Sequence, residues 1–126
     1  MKLLLGSAIL IGIFLFVSIY ITHQTLDRIN QYRYELANLR ALISEAKWSD
    51  AQKQAMGLQK QWNQIQDHWD LYIFHTDIEN IEITIARMVS FINSKDEASA
   101  LAELAALDMH FSHIYRNEMF NMQNVL

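Results

Sequence analysis

Residues 48–72 read WSDAQKQAMGLQKQWNQIQDHWDLY, and this stretch contains all three tryptophans of the chain. Trp48, Trp62 and Trp69 are separated by fourteen and seven residues, which are whole multiples of a heptad, so a helix places them on one face. The apolar residues of the same row follow in steps of three and four: Ala51, Ala55, Leu58, Ile65 and finally Tyr72. We therefore predict a helix whose tryptophan face forms the seam of a bundle.

Composition limits both the fold and the chemistry. The 126 residues fit one domain, and the absence of proline, the three glycines and the 52% hydrophobic content predict an all-α chain. Because there is no cysteine, disulfides, thiolate catalysis and cysteine-ligated metals are excluded. A net charge of -4 argues against nucleic-acid binding, which normally requires a basic face.

The first 22 residues are predicted to be a transmembrane anchor. Residues 3–22 contain no charged side chain, and at ~1.5 Å per residue about 20 residues cross a ~30 Å hydrocarbon core. The alternative is a cleaved signal peptide, which the charge of Lys2 would suit. However, the apolar run exceeds the usual ~7–15 residues, and the sequence around residues 17–21 has no small-x-small cleavage site. We therefore expect residues 3–22 to stay in the bilayer as a single pass of the cell membrane.

Two charge arguments disagree about orientation. Arg28, Arg33 and Arg40 follow the span, and on the positive-inside rule they would hold the rest of the chain in the cytoplasm. The very short N-terminal tail with Lys2 follows signal-peptide logic instead and places the bundle outside. We favour the extracytoplasmic placement.

Residues 23–126 are predicted to form an antiparallel four-helix bundle, with the anchor continuing into its first helix without a break. Three further helices follow, joined by short linkers that favour antiparallel neighbours. The heptad rows of the first, third and fourth helices are Ile29, Tyr32, Leu36, Leu39 and Ile43; Ile78, Ile81, Ile85, Met88 and Ile92; and Leu101, Leu104, Leu107, Phe111 and Ile114.

Capping boxes are predicted to begin the last three helices. Each pairs a hydroxyl residue with Gln or Glu three positions later: Ser49 with Gln52, Thr76 with Glu79, and Ser94 with Glu97. Small residues predict close helix approach at Gly57 and along the fourth helix at Ala98, Ala102 and Ala105.

Charge is distributed unevenly along the bundle. Residues 23–60 carry six Lys or Arg against four Asp or Glu, whereas residues 61–126 carry three against ten. We interpret this as an acidic, membrane-distal part whose charges are solvated and keep it off anionic lipid. A basic patch on a partner and weak divalent-cation binding are the alternatives.

Several short motifs together resemble domain-of-unknown-function family 4363. They are Trp48 with Ala51, the pair Trp62 and Trp69, His75-Thr-Asp-Ile-Glu, Ile83-Thr-Ile-Ala-Arg87, Asp96-Glu-Ala-Ser-Ala and the closing Asn124-Val-Leu126. The resemblance covers essentially the whole chain and implies a single-pass membrane protein of Gram-positive bacteria. Genes for other small integral membrane proteins are associated with the family, which implies a membrane partner. In one departure, Phe74 stands where the family often has an aspartate before the junction histidine, which puts an Asp-His pair there in doubt.

Four histidines are the candidate metal ligands. His68 and His75 are seven residues apart and His110 and His113 are three apart, so each pair can share a helix face, with acidic residues nearby. Bundles that hold two metals use Glu-x-x-His, and no glutamate lies three positions before any histidine. We therefore predict no metal and no cofactor, and we place His75 at the end of the second helix, where the helix dipole favours a cation.

Partner-binding candidates are the tryptophans and the tail. Trp62 and Trp69 are expected in the core, with a partly exposed partner groove as the alternative. Met119, Phe120 and Met122 are expected to pack back across the open end of the bundle, with an adaptable docking strip as the alternative.

No glycine-rich phosphate loop or nucleophile motif is present in the sequence. We therefore predict a non-catalytic accessory or scaffold protein that binds an integral membrane protein or a second copy of itself. The alternative is an extracytoplasmic sensor that binds a small ligand or metal between its helices.

Overall fold

The fold is all-α, as the sequence predicts. A computed structural model describes the backbone of residues 1–125 and the side chains up to residue 124; Leu126, the last residue of the predicted bundle domain and part of its apolar tail, lies outside the described residues. The described residues form four helices: α1 (Lys2–Ser44), α2 (Trp48–Trp69), α3 (His75–Asn93) and α4 (Glu97–Val125).

Helix α1 is one continuous rod of 43 residues, about 65 Å long at ~1.5 Å per residue. Side chains up to Val17 are exposed, whereas Thr25, Leu26 and the heptad row from Ile29 to Ile43 are buried. The change follows from what surrounds the helix, because the other helices pack against α1 only from about residue 18 onward. The predicted continuation of the apolar segment into the first bundle helix is confirmed.

The four helices form a closed ring. Helix α1 packs against α2 and α4, and α3 packs against α2 and α4. Three- to five-residue connections join successive helices, and such short links reverse the chain direction. Most side chains of the predicted heptad rows are buried, including Trp62, Trp69, Ile81, Leu104 and Phe111. Four are not: Trp48, Ile65 and Leu101 are half-buried and Tyr72 is 41% exposed.

Four aromatic rings occupy the centre of the core. The Trp62 ring meets Trp69 edge to face at 5.6 Å and Phe111 at 6.2 Å, and Tyr32 stacks on Phe111 at 5.1 Å. Offset and edge-to-face arrangements of this kind add about 0.5–1.5 kcal/mol per pair beyond the burial of area. Burial also raises the pKa of Tyr32 to about 12.

The two short turns are built alike. After α1, the Lys47 N–H donates to the Leu42 carbonyl, and Ala46 has a φ of 56°. After α3, the Asp96 N–H donates to the Phe91 carbonyl, and Lys95 also has a φ of 56°. Each is a Schellman motif, in which the left-handed residue is usually glycine.

All three predicted capping boxes are wrong. Helix α2 begins at Trp48 and α3 at His75, each before the expected hydroxyl cap, and neither helix has a side-chain cap. Ser94 ends α3, and its hydroxyl donates to the Phe91 carbonyl. The residue that caps α4 is Asp96, which accepts from the Ser99 N–H at 3.2 Å. At α2 and α4, the preceding Schellman turn fixes where the helix starts, and this overrides the local cap signal.

The predicted close approaches are also wrong. The side chains of Ala98, Ala102 and Ala105 are exposed, and Ala100 is the buried alanine. A Cβ added to Gly57 would meet nothing within 4 Å. These small residues therefore face open space and do not mark helix crossings.

Because helix direction alternates, the turn between α2 and α3 and the end of α4 both return to the end of the bundle from which the apolar half of α1 emerges. We call this end the anchor-side end. Of the predicted acidic half, Asp70, Asp77, Glu79 and Glu118 lie here. The prediction that this half is membrane-distal is therefore wrong.

Candidate functional site

The anchor-side end joins three parts of the chain. The Thr25 hydroxyl in α1 donates to the Ile21 carbonyl at 3.0 Å, and its oxygen shares a hydrogen bond of 3.1 Å with the Tyr72 hydroxyl. The α2–α3 turn is thereby tied to α1 just beyond the apolar segment. On the other side, Met122 of α4 lines a small crevice with Ser18, Ile19 and Thr22.

A cleft of about 270 Å³ opens between the apolar segment of α1 and this end of the bundle. Its α1 wall is one helix face, and its other wall comes from the α2–α3 turn and α4. The lining residues are Phe14, Val17, Ser18, Ile21, Thr22, Tyr72, Glu118 and Asn121. The cleft is thus mainly apolar and contains a few polar groups, which is the usual composition of a binding site.

Glu118 gives the cleft its charge. The carboxyl is half-buried, and burial raises its pKa above the ordinary value. Burial also raises the pKa of Tyr72, the hydrogen bond with Thr25 lowers it, and the negative charge of Glu118 raises it again. A carboxyl that is partly desolvated on an apolar wall favours a hydrogen-bond donor as its neighbour.

His75 lies beside the cleft, at the start of α3. The prediction that it ends the second helix is therefore wrong. Its Nδ1 is 2.9 Å from Asp70 Oδ1 and its Nε2 is 3.0 Å from Glu79 Oε1. The hydrogen bond and charge of Asp70 raise the His75 pKa most, and the charge of Glu79 adds to this. The chain thus forms an Asp-His pair with Asp70, although Phe74 occupies the position before the histidine.

The four histidines do not form a metal centre. Within the described residues, no group of three His, Asp or Glu side chains could hold a metal ion. The carboxylates beside His75 sit on opposite ring nitrogens and so cannot converge on one ion. His68 is exposed on α2, His110 is half-buried on α4, and the exposed His113 bonds Asn117 at 3.2 Å.

The tryptophans of the opening stretch belong to the core. Trp62 and Trp69 are only 1% and 3% exposed, so the alternative of a partly exposed groove is wrong. Trp48 is half-buried and packs against the same core.

The tail does not fold back across the end of the bundle. Helix α4 stays helical to Val125 and runs alongside the apolar segment of α1. Met119 and Met122 are half-buried and Phe120 is 62% exposed. The tail therefore contributes one wall of the cleft and one exposed aromatic ring.

Sequence reasoning missed three features of this end. Leu71 and Phe74 are 83% and 74% exposed, although both are large and apolar. Glu118 was counted only among the solvated acids, although it is half-buried in the cleft. The sequence feature that could have indicated this surface is the cluster of large apolar residues in a turn, where polar residues are usual.

A second depression lies between α1 and α4. It has a volume of about 450 Å³ and is lined by Asn30, Arg33, Tyr34, Leu36, Ala37, Arg40, Leu104 and Asp108. Arg33 Nε bonds Asp108 Oδ1 across it at 2.9 Å, and both side chains are 42% exposed. We call this depression the arginine groove.

These features define a class: a small helical-bundle protein with an apolar N-terminal helix. Among the described residues, α1 is the one helix long and apolar enough to cross a membrane, a property that signal sequences share. The profile of the family described as Domain of unknown function (DUF4363) matches residues 29–125, and the chain belongs to this family. The expected membership is confirmed. No curated protein and no solved structure matches the chain.

Proposed function

We propose that the protein is a non-catalytic accessory or scaffold protein of the cell membrane, anchored by residues 3–22. Its anchor-side end binds an integral membrane protein, and the bundle lies outside the cell. The observation that carries this proposal is the cleft between the apolar segment and the bundle. The cleft begins on the apolar segment and continues onto the bundle, so a ligand there would touch both.

The polar groups of the cleft favour a protein partner over lipid tails alone. Ser18, Thr22, Glu118 and Asn121 line the cleft beside the apolar side chains. Hydrocarbon cannot hydrogen-bond to such groups, whereas a neighbouring transmembrane helix with Ser, Thr, Asn or Gln side chains can. The partner we propose therefore presents a helix with hydrogen-bond donors at this depth.

Two phenylalanines of the anchor offer a matched test. Phe14 and Phe16 are 73% and 72% exposed, but only Phe14 lines the cleft, because two residues turn a helix by about 200°. Each is replaced separately by the photoreactive p-benzoylphenylalanine in the full-length protein in its native membrane. We expect irradiation to yield a discrete protein adduct at position 14 and none at position 16.

Comparison of the two positions also shows which outcomes would contradict the proposed partner. Equal adducts at both would mean that collisions in the membrane, and not the cleft, determine crosslinking. If neither position gives a protein adduct, the cleft holds no integral membrane partner. An adduct with twice the mass of the chain identifies the partner as a second copy.

A ligand-binding sensor is the second candidate function, favoured by the arginine groove. Its volume lies in the range of about 300–1,000 Å³ that is usual for ligand sites, and Arg33 and Arg40 would suit a small carboxylate or phosphate. Citrate and inorganic phosphate are therefore the probes in a thermal-unfolding titration. Stabilisation that Arg40→Gln abolishes would support the sensor, whereas no shift with either anion would argue against it.

A further inference from the structure

Four large side chains surround the point where the apolar segment meets the bundle. They are Tyr20 on α1, Leu71 and Phe74 in the α2–α3 turn, and Phe120 on α4, and their exposed fractions lie between 57% and 83%. We call them the collar. Of the other large exposed apolar side chains of the described bundle, Tyr72 lies in the same turn at 41% exposure, whereas Tyr34, Met56, Ile83 and Met109 occur singly on the four helices. A clustered set of this kind marks a contact surface, whereas single exposed residues do not.

We propose that the collar inserts into the headgroup region of the bilayer, so that the bundle rests on the lipid surface. This inference rests on the proposed membrane anchor. The observation that supports it is that exposed apolar side chains from three separate elements lie at one level along α1.

The level follows from hydrogen bonds and helix geometry. The Tyr72 hydroxyl is fixed to Thr25, three residues beyond the end of the apolar run, which corresponds to about 5 Å along the axis. The polar zone of a bilayer is about 5–7 Å thick on each side. Leu71 and Phe74 flank Tyr72 in the chain, and Tyr20 lies within the last turn of the run. Phe120 precedes Asn121, which lines the crevice with Ser18 and Thr22. The collar therefore falls within the headgroup zone, where aromatic rings are enriched.

A bilayer fits this surface better than a protein does. The collar is distributed over α1, the α2–α3 turn and α4, which together make up the anchor-side end of the bundle, whereas a partner helix would fill a single groove. The neighbouring side chains of Asp70, Asp77 and Glu118 are acidic, so attraction to anionic lipid does not contribute. Insertion is therefore driven by the burial of apolar area. The collar should reach the same depth in neutral lipid at low and at high salt.

Nitroxide labelling of the full-length chain tests the depth. Because the chain has no cysteine, Leu71→Cys, Phe120→Cys, Met109→Cys and Phe16→Cys each give a single labelling site. The purified variants are reconstituted in phosphatidylcholine nanodiscs, and collision of each label with oxygen and with a water-soluble nickel complex is measured. Met109 is the matched control because it is 71% exposed on the same helix as Phe120 but about 16 Å farther from the membrane along the axis.

We expect the labels at positions 71 and 120 to collide more often with oxygen than with the nickel complex, and the label at position 109 to show the reverse. If the label at position 16 is in lipid while those at positions 71 and 120 are in water, the proposed anchor is supported and the collar inference is overturned. If position 16 is also in water, the proposed anchor itself fails. Labels at 71 and 120 that neither reagent reaches would show that a second copy covers the collar, which also overturns the inference.

Discussion

Replacement of Trp62 by alanine removes the ring that joins the α2 seam to the core of the bundle. The indole is 1% exposed and contacts both Trp69 and Phe111 edge to face. Truncation of a buried Trp or Phe to alanine typically costs about 3–5 kcal/mol. Two aromatic contacts are lost as well, so we expect a loss near the upper end of that range.

The indole nitrogen allows a sharper comparison. Among the described residues, Trp62 Nε1 is buried without a hydrogen-bond partner, so the loss in Trp62→Ala comes from volume and ring contacts. Trp62→Phe keeps a ring and removes an N–H whose unpaired burial costs about 1–3 kcal/mol. We therefore expect Trp62→Phe to lose much less stability than Trp62→Ala. Trp48→Ala should also lose less, because Trp48 is only half-buried.

The assay is urea unfolding of the full-length variants in mild detergent micelles, followed by far-UV circular dichroism. Small domains are stable by about 5–15 kcal/mol, so Trp62→Ala should shift the midpoint far to lower urea. Near-native stability of Trp62→Ala would refute the core assignment. Equal losses for Trp62→Phe and Trp62→Ala would refute the account of the unpaired N–H.

Three further predictions concern the helix ends, the His75 pair and the topology. Gly57→Ala and Ala46→Gly should each raise the free energy of unfolding by about 0.5–1 kcal/mol. Alanine suits the open helix interior at position 57, and glycine suits the left-handed turn at position 46. Destabilisation by either substitution would contradict the backbone description. NMR titration should give His75 a pKa above its ordinary value, and Asp70→Asn should lower it. The stabilisation from this pair is fully present below the pKa of about 6.5 of an unfolded histidine. It is lost as pH rises through the pKa of His75 in the folded protein. Wild-type stability that does not change across this pH range would contradict the prediction. Ser94→Cys should react with an impermeant maleimide in intact cells; labelling only after lysis would reverse the proposed orientation.

The sequence predicts the core well because heptad spacing depends on which residues must leave water. The rows from Ile29 to Ile43 and from Ile78 to Ile92 are buried as expected. In the α2 row, Trp48 and Ile65 are only half-buried, and Tyr72, which lies beyond the end of the helix, is 41% exposed.

Helix boundaries were less predictable because both Schellman turns place a residue other than glycine in the left-handed position. Ala46 and Lys95 carry no stop signal, so the hydroxyl residues nearby were read as caps. His75 lies at the α2–α3 turn, which has no left-handed residue; there Thr76 predicts a later helix start, whereas α2 ends at Trp69 and α3 begins at His75.

The anchor-side end was predictable only in part. The tail residues Met119, Phe120 and Met122 were recognised as a unit, but their position beside α1 depends on the length of α4 relative to α1. The neighbourhood of Glu118 depends on contacts between residues about a hundred positions apart, such as Phe14. Spacing within one helix carries no information about such contacts.

The proposed function requires that the bundle remain joined to an uncleaved anchor in the membrane. The most direct test is the intact mass of the protein after native membranes are washed with alkaline carbonate and dissolved in detergent. We predict a species of 14.8 kDa that retains the apolar segment and stays in the membrane fraction. A shorter species without residues 3–22, released into the wash, would contradict it.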